Sequence, residues 1–332
     1  MDTVRIDFCG FWGSFNKREN LFVRLLSKHF DVEISDDPDF VICSNRGAPF
    51  EYMRYDCVRV MFMGENLSPD FTVFDYVIGF DRMQFGDRYF RLPYAYYFES
   101  GTPWTPEKLT RAQAEDILRR KTQFCNFIYG HPSGNGAREK LFDALSRYKP
   151  VVSPGSYLNN TGSGGCTWAE KNRVLEASKF TIAADSVDYP GFVTEKVIQP
   201  LDRHSVPIYF GDPTIGEELN EKAMILCRSA DDTDIRAAAE RAAYLDAHDD
   251  AYLDVLMQPP FREPDFLEKK YRELEAFLVA VFSQPPEKAR RRIHCFSADL
   301  HCSYLREYMR KNAAPSVLTR AKRAAKHVLE KR

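Results

Sequence analysis

Tyr189–Pro213 is the densest chemical segment of this 332-residue chain. A Gly-containing loop leads into Thr194-Glu195-Lys196, a short helix follows, and an apolar strand ends in Gly211-Asp212-Pro213. Thr194 suits a helix N-cap. A helix start in a loop offers free N–H groups and partial positive charge, which favours a phosphate. Lys196 adds a full cation there, and the Glu195 carboxylate can accept two hydrogen bonds from a ribose diol. The plain alternative is a Glu195 that complements the helix dipole and a solvated Lys196.

Two further segments share the strand–loop pattern. Glu65 follows the apolar run Val60–Met63 and a glycine, so it falls at a strand's carboxyl edge, where open α/β sheets gather ligands. Desolvated by Phe62, Phe71 and Phe74, it would have a raised proton affinity and act as a base. On spacing alone it reads as readily as a loop carboxylate capping Asn66 or Ser68. Phe124–Tyr148 runs from a strand through a Gly-rich loop into a helix whose first turn carries Arg138. A cation there opposes the helix dipole unless an anion offsets it, although a lone arginine at a helix start is more often a surface residue. Gly155–Gly162 is a polar loop that can line the same site.

The elements that must position these residues alternate from the start. Strands are predicted at Val4–Phe8, Phe40–Cys43, Val58–Met63 and Tyr76–Phe80, with a helix over Asn20–Phe30. After turn chemistry at Thr102–Pro106 and a helix-compatible stretch over Glu107–Arg120, a second series begins. It has strands at Phe124–Tyr129, Phe180–Ala184, Val206–Phe210 and Ala223–Cys227, and helices at Arg138–Tyr148, Trp168–Ala177 and Glu195–Asp202. Beyond Asp232 the pattern is helical: Thr233–Ala247, Ala251–Met257, Glu268–Phe282 and Ala298–Lys311. The predicted domains are 1–112, 113–282, and a helical segment 283–332 with a basic tail.

Composition excludes several classes. A formal charge of −2 gives no overall field for nucleic acid. No apolar run reaches the roughly 18–20 residues of a membrane span, and the acidic start Met1-Asp2-Thr3 is unlike a secretory signal. A cytoplasmic protein is therefore expected. The basic stretch 315–332 reads either as a helix on an anionic membrane surface or as a solvated tail. The eight cysteines are scattered, with no zinc-like spacing, and read as free thiols. The clusters Asp36-Asp37-Pro38-Asp39 and Asp231-Asp232-Thr233-Asp234 read as turn and cap residues, so no metal site is expected.

Taken together, Phe192–Lys196, Pro207–Pro213, Gly64–Pro69 and Phe74–Asp81 resemble the bacterial α1,3/α1,4-fucosyltransferase family, in order over residues 58–257. The resemblance implies a GT-B-like α/β fold: two Rossmann-type domains facing a central cleft, with the helical C-terminal segment. It also implies an inverting transfer of L-fucose from GDP-fucose to a GlcNAc hydroxyl, O3 or O4, of a lactosamine-type oligosaccharide or glycolipid, with no obligatory metal. By position the general base falls on Glu65, the phosphate-binding arginine on Arg138 and the nucleotide-binding pair on Glu195 and Lys196. Ser186, Phe192 and Val193 fall in the same nucleotide pocket. Two departures stand out. Ala184-Asp185-Ser186 replaces the common Phe-Glu-Asn, and Phe192 replaces a tyrosine, keeping the stacking face but losing the hydroxyl. A related GDP-deoxysugar is therefore an alternative donor, and a non-catalytic glycan- or nucleotide-binding protein of the same fold an alternative role.

Overall fold

The computed structural model describes residues 1–312. The basic stretch 315–332 lies outside the described residues. The chain forms two compact units: Met1–Ile78 together with the described part of Val279–Arg332, and Gly79–Leu278.

The first unit is built on strands β1 (Thr3–Cys9), β2 (Asp31–Ile34), β3 (Phe40–Ser44), β4 (Val58–Phe62) and β5 (Tyr76–Gly79). They run in the order β2-β1-β3-β4-β5, and each neighbouring pair is parallel. Strands β3 and β4 are buried along their whole length, as in a parallel sheet covered on both faces, although β4 carries Arg59 among its apolar residues. β2 was not foreseen, because its sequence Asp-Val-Glu-Ile is only half-buried and breaks the apolar run. Helix α1 (Leu21–Leu26) begins where Asn20 accepts hydrogen bonds from the N–H groups of Phe22 and Val23. It is shorter than expected, ending at Ser27.

Arg59, in the middle of β4, is fully buried and donates to the carbonyls of Tyr55 and Val73. Burial and the nearby Arg292 lower its pKa from the usual guanidinium value. Asp75, with no exposed surface, accepts from the backbone N–H groups of Arg59 (2.8 Å), Arg291 (2.7 Å) and Arg292 (2.8 Å). One carboxylate thus ties the returning C-terminal chain to β4. Asp75→Ala is expected to lower stability by about 3–5 kcal/mol, because it leaves buried donors and cations without their anion. Denaturant unfolding followed by intrinsic fluorescence checks this, with Asp75→Asn expected to lose less.

The second unit contains β6 (Tyr89–Arg91), α2 (Arg111–Arg120), β7 (Gln123–Asn126), α3 (Ala137–Ser146), β8 (Val151–Val152), α4 (Trp168–Ala177), β9 (Ser178–Ala184), α5 (Glu195–Asp202), β10 (Val206–Phe210) and β11 (Ile225–Leu226). Helices α6 (Asp232–Ala247), α7 (Asp249–Leu256) and α8 (Phe266–Phe282) follow. Its sheet runs β11-β10-β9-β7-β8, all parallel. The α/β reading with two parallel sheets holds. α2 starts four residues later than the compatible stretch, because Thr110 and Gln113 form a reciprocal capping box. Beyond α8 come α9 (Pro286–Ala289) and α10 (Phe296–Asn312).

The compact units are divided differently from the 1–112 and 113–282 read from composition. Gly79–Tyr97 belongs with the second unit. There Arg91 and Tyr96 both bond to the buried Glu218, the Ala95 N–H donates to the Val193 carbonyl (3.1 Å), and Tyr189 donates to Asp81 (3.1 Å). A strand crosses the division at Ile78, so no turn or composition shift marks it.

All eight cysteines are free, and Cys9, Cys43, Cys125 and Cys227 are buried. Asp37 and Asp39 pair with Arg5, while Asp231 stands at the N-cap of α6 and Asp232 pairs with Lys140.

Candidate active site

Because β7, β9 and β10 are parallel, their carboxyl ends and following loops share one edge of the second sheet. β9 delivers Asp185 to that edge. Thr194 caps α5 as expected, accepting from the Lys196 N–H (3.4 Å), while its own hydroxyl donates to Asp185 Oδ1 (2.5 Å). The Lys196 ammonium lies 3.2 Å from Thr194 Oγ1, 3.4 Å from Glu195 Oε1 and 3.8 Å from Asp185 Oδ1. Burial acts to raise the Glu195 carboxyl, but Lys196, Lys171 and local hydrogen bonds outweigh it and hold it below the usual range.

Arg138 is buried, not a surface residue. Its guanidinium lies over the Tyr129 ring at 4.3 Å and donates to the Ala184 carbonyl (3.0 Å) and the His131 carbonyl (3.3 Å). Tyr129 in turn grips β9, its hydroxyl bonding to the Ile182 and Ala184 backbone. Arg138 and Lys196 therefore converge on Ala184-Asp185, each near the start of its helix. That arrangement gathers two cations and two helix N-termini, the equipment for holding a diphosphate and stabilising it as a leaving group.

The loop after β8 supports Tyr129 from the other side. A side chain at Gly155 would place its Cβ 2.3 Å from the Tyr129 carbonyl oxygen. Gly155→Ala is expected to cost about 1–3 kcal/mol as backbone gives way, and to weaken donor binding by displacing the ring under Arg138. Thermal unfolding and donor titration check the two effects.

The sequence reading passed over Asp185 as a site residue. The signal was present: it follows the apolar run Phe180–Ala184, at a strand's carboxyl edge, as Glu65 does after its own strand. Its carboxylate is buried, and burial pushes it up to about 6 against the opposing pull of Lys196, Thr194 and Arg138. Lys171 on α4 was also missed. Burial lowers the pKa of its ammonium, and Glu195 acts in the opposite direction. Trp168, one turn before it, is exposed, with the ammonium 5.8 Å from its ring centroid.

Ser186 is exposed just beyond Asp185. Phe192 and Val193 are buried. The Phe192 ring packs edge-on against Phe80 at 5.0 Å.

Glu65 lies in the first unit, two residues beyond the Met63 that continues β4. Its side chain is 52% exposed and pairs with Arg46 at 2.5 Å. Phe62 and Phe74 are buried beneath the sheet edge, so the expected desolvation of this carboxylate is not found. A cation from the loop after β3 faces it instead. Gly64 is fixed there by a hydrogen bond from its N–H to Asn45 (3.2 Å).

Residues 6–98 match the family described as the Alpha-(1,3)-fucosyltransferase FucT N-terminal domain, and residues 118–257 match Glycosyltransferase family 10 (fucosyltransferase) C-term. The chain belongs to glycosyltransferase family 10. Within that family it is similar to the Helicobacter pylori Alpha-(1,3)-fucosyltransferase FucT, 27% identical over 315 residues that cover 84% of this chain and 65% of the relative. The Drosophila melanogaster Alpha-(1,3)-fucosyltransferase B is 36% identical over 103 residues, 26% of this chain and 22% of that one. The chain thus spans just under two thirds of the H. pylori relative's length. A crystal structure of an alpha1,3-fucosyltransferase superposes with a TM-score of 0.64 at 26% identity, covering 83% of this chain and 90% of that one. Among the described residues, no helix is long and apolar enough to cross a membrane.

Proposed function

We propose that this family 10 protein is an inverting α1,3- or α1,4-fucosyltransferase. It moves L-fucose from GDP-fucose to a GlcNAc hydroxyl, O3 for the first linkage, of a lactosamine-type glycan. The observation that carries the reading is the convergence of Arg138 and Lys196 on the carboxyl end of β9. Glu195 beside them serves the ribose, with Ser186 and the Phe192-Val193 backbone bordering the nucleotide.

The reaction is a single displacement. Glu65 removes the proton of the acceptor hydroxyl, whose oxygen bonds to the fucose anomeric carbon as the bond to the GDP oxygen breaks. Positive charge develops on the sugar ring and negative charge on the departing diphosphate. Arg138, Lys196 and the starts of α3 and α5 stabilise that negative charge. Arg46 holds the Glu65 carboxylate in place by a charge-assisted contact at 2.5 Å.

Incubation with GDP-fucose and a panel of lacto-N-biose and N-acetyllactosamine acceptors, with linkage read by NMR, tests the proposal. Fucosylated product supports it. Absence of both transfer and GDP release would overturn it in favour of a non-catalytic binding role. Ala184-Asp185-Ser186 favours one second reading, a related GDP-deoxysugar, and a donor panel in the same assay separates the two.

A further inference from the structure

The two cations assigned to the diphosphate are not idle without it, for both lean on the segment around one buried carboxylate. We propose that Asp185 is the positioning residue of this cradle and takes up a proton from solvent when the donor diphosphate engages Lys196 and Arg138. The inference rests on the donor-site reading above.

Asp185 is enclosed on every side. From α5, Thr194 donates to Oδ1 at 2.5 Å, Lys196 stands 3.8 Å away and the Glu195 carboxylate is close enough to oppose its ionisation. From α3, Arg138 adds positive charge. Tyr129, at the end of β7, adds a neutral phenol, pushed well up by burial. From β10, Tyr209 points its hydroxyl at Oδ2 (3.4 Å), and that hydroxyl also accepts the Asp212 N–H (2.8 Å). Gly211 closes the wall: a side chain there would place its Cβ 2.8 Å from Oδ2.

In this enclosure the carboxylate serves two ends. It receives the hydroxyl of the residue that caps α5, which fixes the helix start, and it holds the Lys196 ammonium beside that start. A bound diphosphate takes the same ammonium and brings further negative charge next to a carboxylate cut off from water. Like charges in a desolvated site favour protonation of one of them. The proton enters from solvent and rests on the Asp185 carboxyl, on Oδ2 beside the Tyr209 hydroxyl. The bond from Thr194 survives, so the cap stays in place while Lys196 turns to the phosphates. Burial already brings this group close to neutral pH in the free protein, up to about 6, so a modest further rise suffices.

The sign follows. If the complex binds more protons than the free protein, donor affinity increases as pH falls through the window between the two pKa values. The probe is GDP-fucose without acceptor. Both of its phosphates are esterified, so it lacks the terminal phosphate that titrates near about pH 6 in free GDP. Calorimetric titration at about pH 7 in buffers of different ionisation enthalpy should show uptake of about half a proton or more per donor bound. Affinity should be about tenfold tighter at about pH 6 than at about pH 8. Asp185→Asn should abolish the uptake and flatten the pH dependence to within about twofold, while its amide still accepts from Thr194.

No uptake in the wild type, or equal uptake in Asp185→Asn, would overturn the inference with the donor site intact. Wild-type affinity in Lys196→Ala would bring down the donor-site reading itself.

Discussion

Glu65→Gln is expected to lower turnover by about 10²–10⁴-fold, the usual worth of a positioned base, while donor affinity stays within about twofold of wild type. The amide keeps the size of the side chain but cannot take the acceptor proton. Glu65 follows β4 at the carboxyl edge of the first sheet. It is half-exposed, so an acceptor hydroxyl can reach it from solvent, and Arg46 at 2.5 Å holds it in place. Single-turnover assays with saturating GDP-fucose separate the chemical step from binding. Arg46→Ala is the informative companion, since it loosens the carboxylate without removing the base and should cost less. Wild-type turnover in Glu65→Gln would remove this residue from the role.

Lys196→Ala is expected to weaken GDP-fucose binding by about 30–100-fold, the equivalent of one charge-assisted hydrogen bond to a partly buried anion. It should also lower kcat, because the charge it meets grows as the diphosphate departs. Lys196 is a cleaner probe than Arg138. Among the described residues its ammonium contacts Thr194, Glu195 and Asp185, and it is partly open to solvent. Truncating Arg138 would also strip the Tyr129 ring of its cover and the Ala184 carbonyl of a donor. Titration calorimetry gives the dissociation constants, and an unchanged value for Lys196→Ala would overturn the diphosphate cradle. Lys196→Arg should recover part of the loss, since the cation remains while its position changes.

Much of the scaffold was legible because it is written locally. Parallel strands buried on both faces appear as largely apolar runs, and Phe40–Ser44, Val58–Phe62 (interrupted only by Arg59) and Val206–Phe210 were found for that reason. The start of α5 was legible because Thr194 is a cap by residue type. β2 and the true start of α2 were less so. One is a short, half-buried edge strand, and the other depends on which of several polar residues closes a capping box.

The site divides along the same line. Residue types and their order along the chain determined the family, the alternating α/β plan, and the placing of Glu65, Arg138, Glu195 and Lys196 beside strand ends or helix starts. Only the tertiary structure decided that Arg138 is buried over Tyr129, that Asp185 stands between two cations, that Arg46 faces Glu65, and that Gly79–Tyr97 joins the second unit. Each of these depends on neighbours outside the residue's own strand or helix turn, brought close by parallel pairing across a sheet or by a returning loop. A side chain's charge is fixed by its chemistry, but its burial and its partner are fixed by what folds over it.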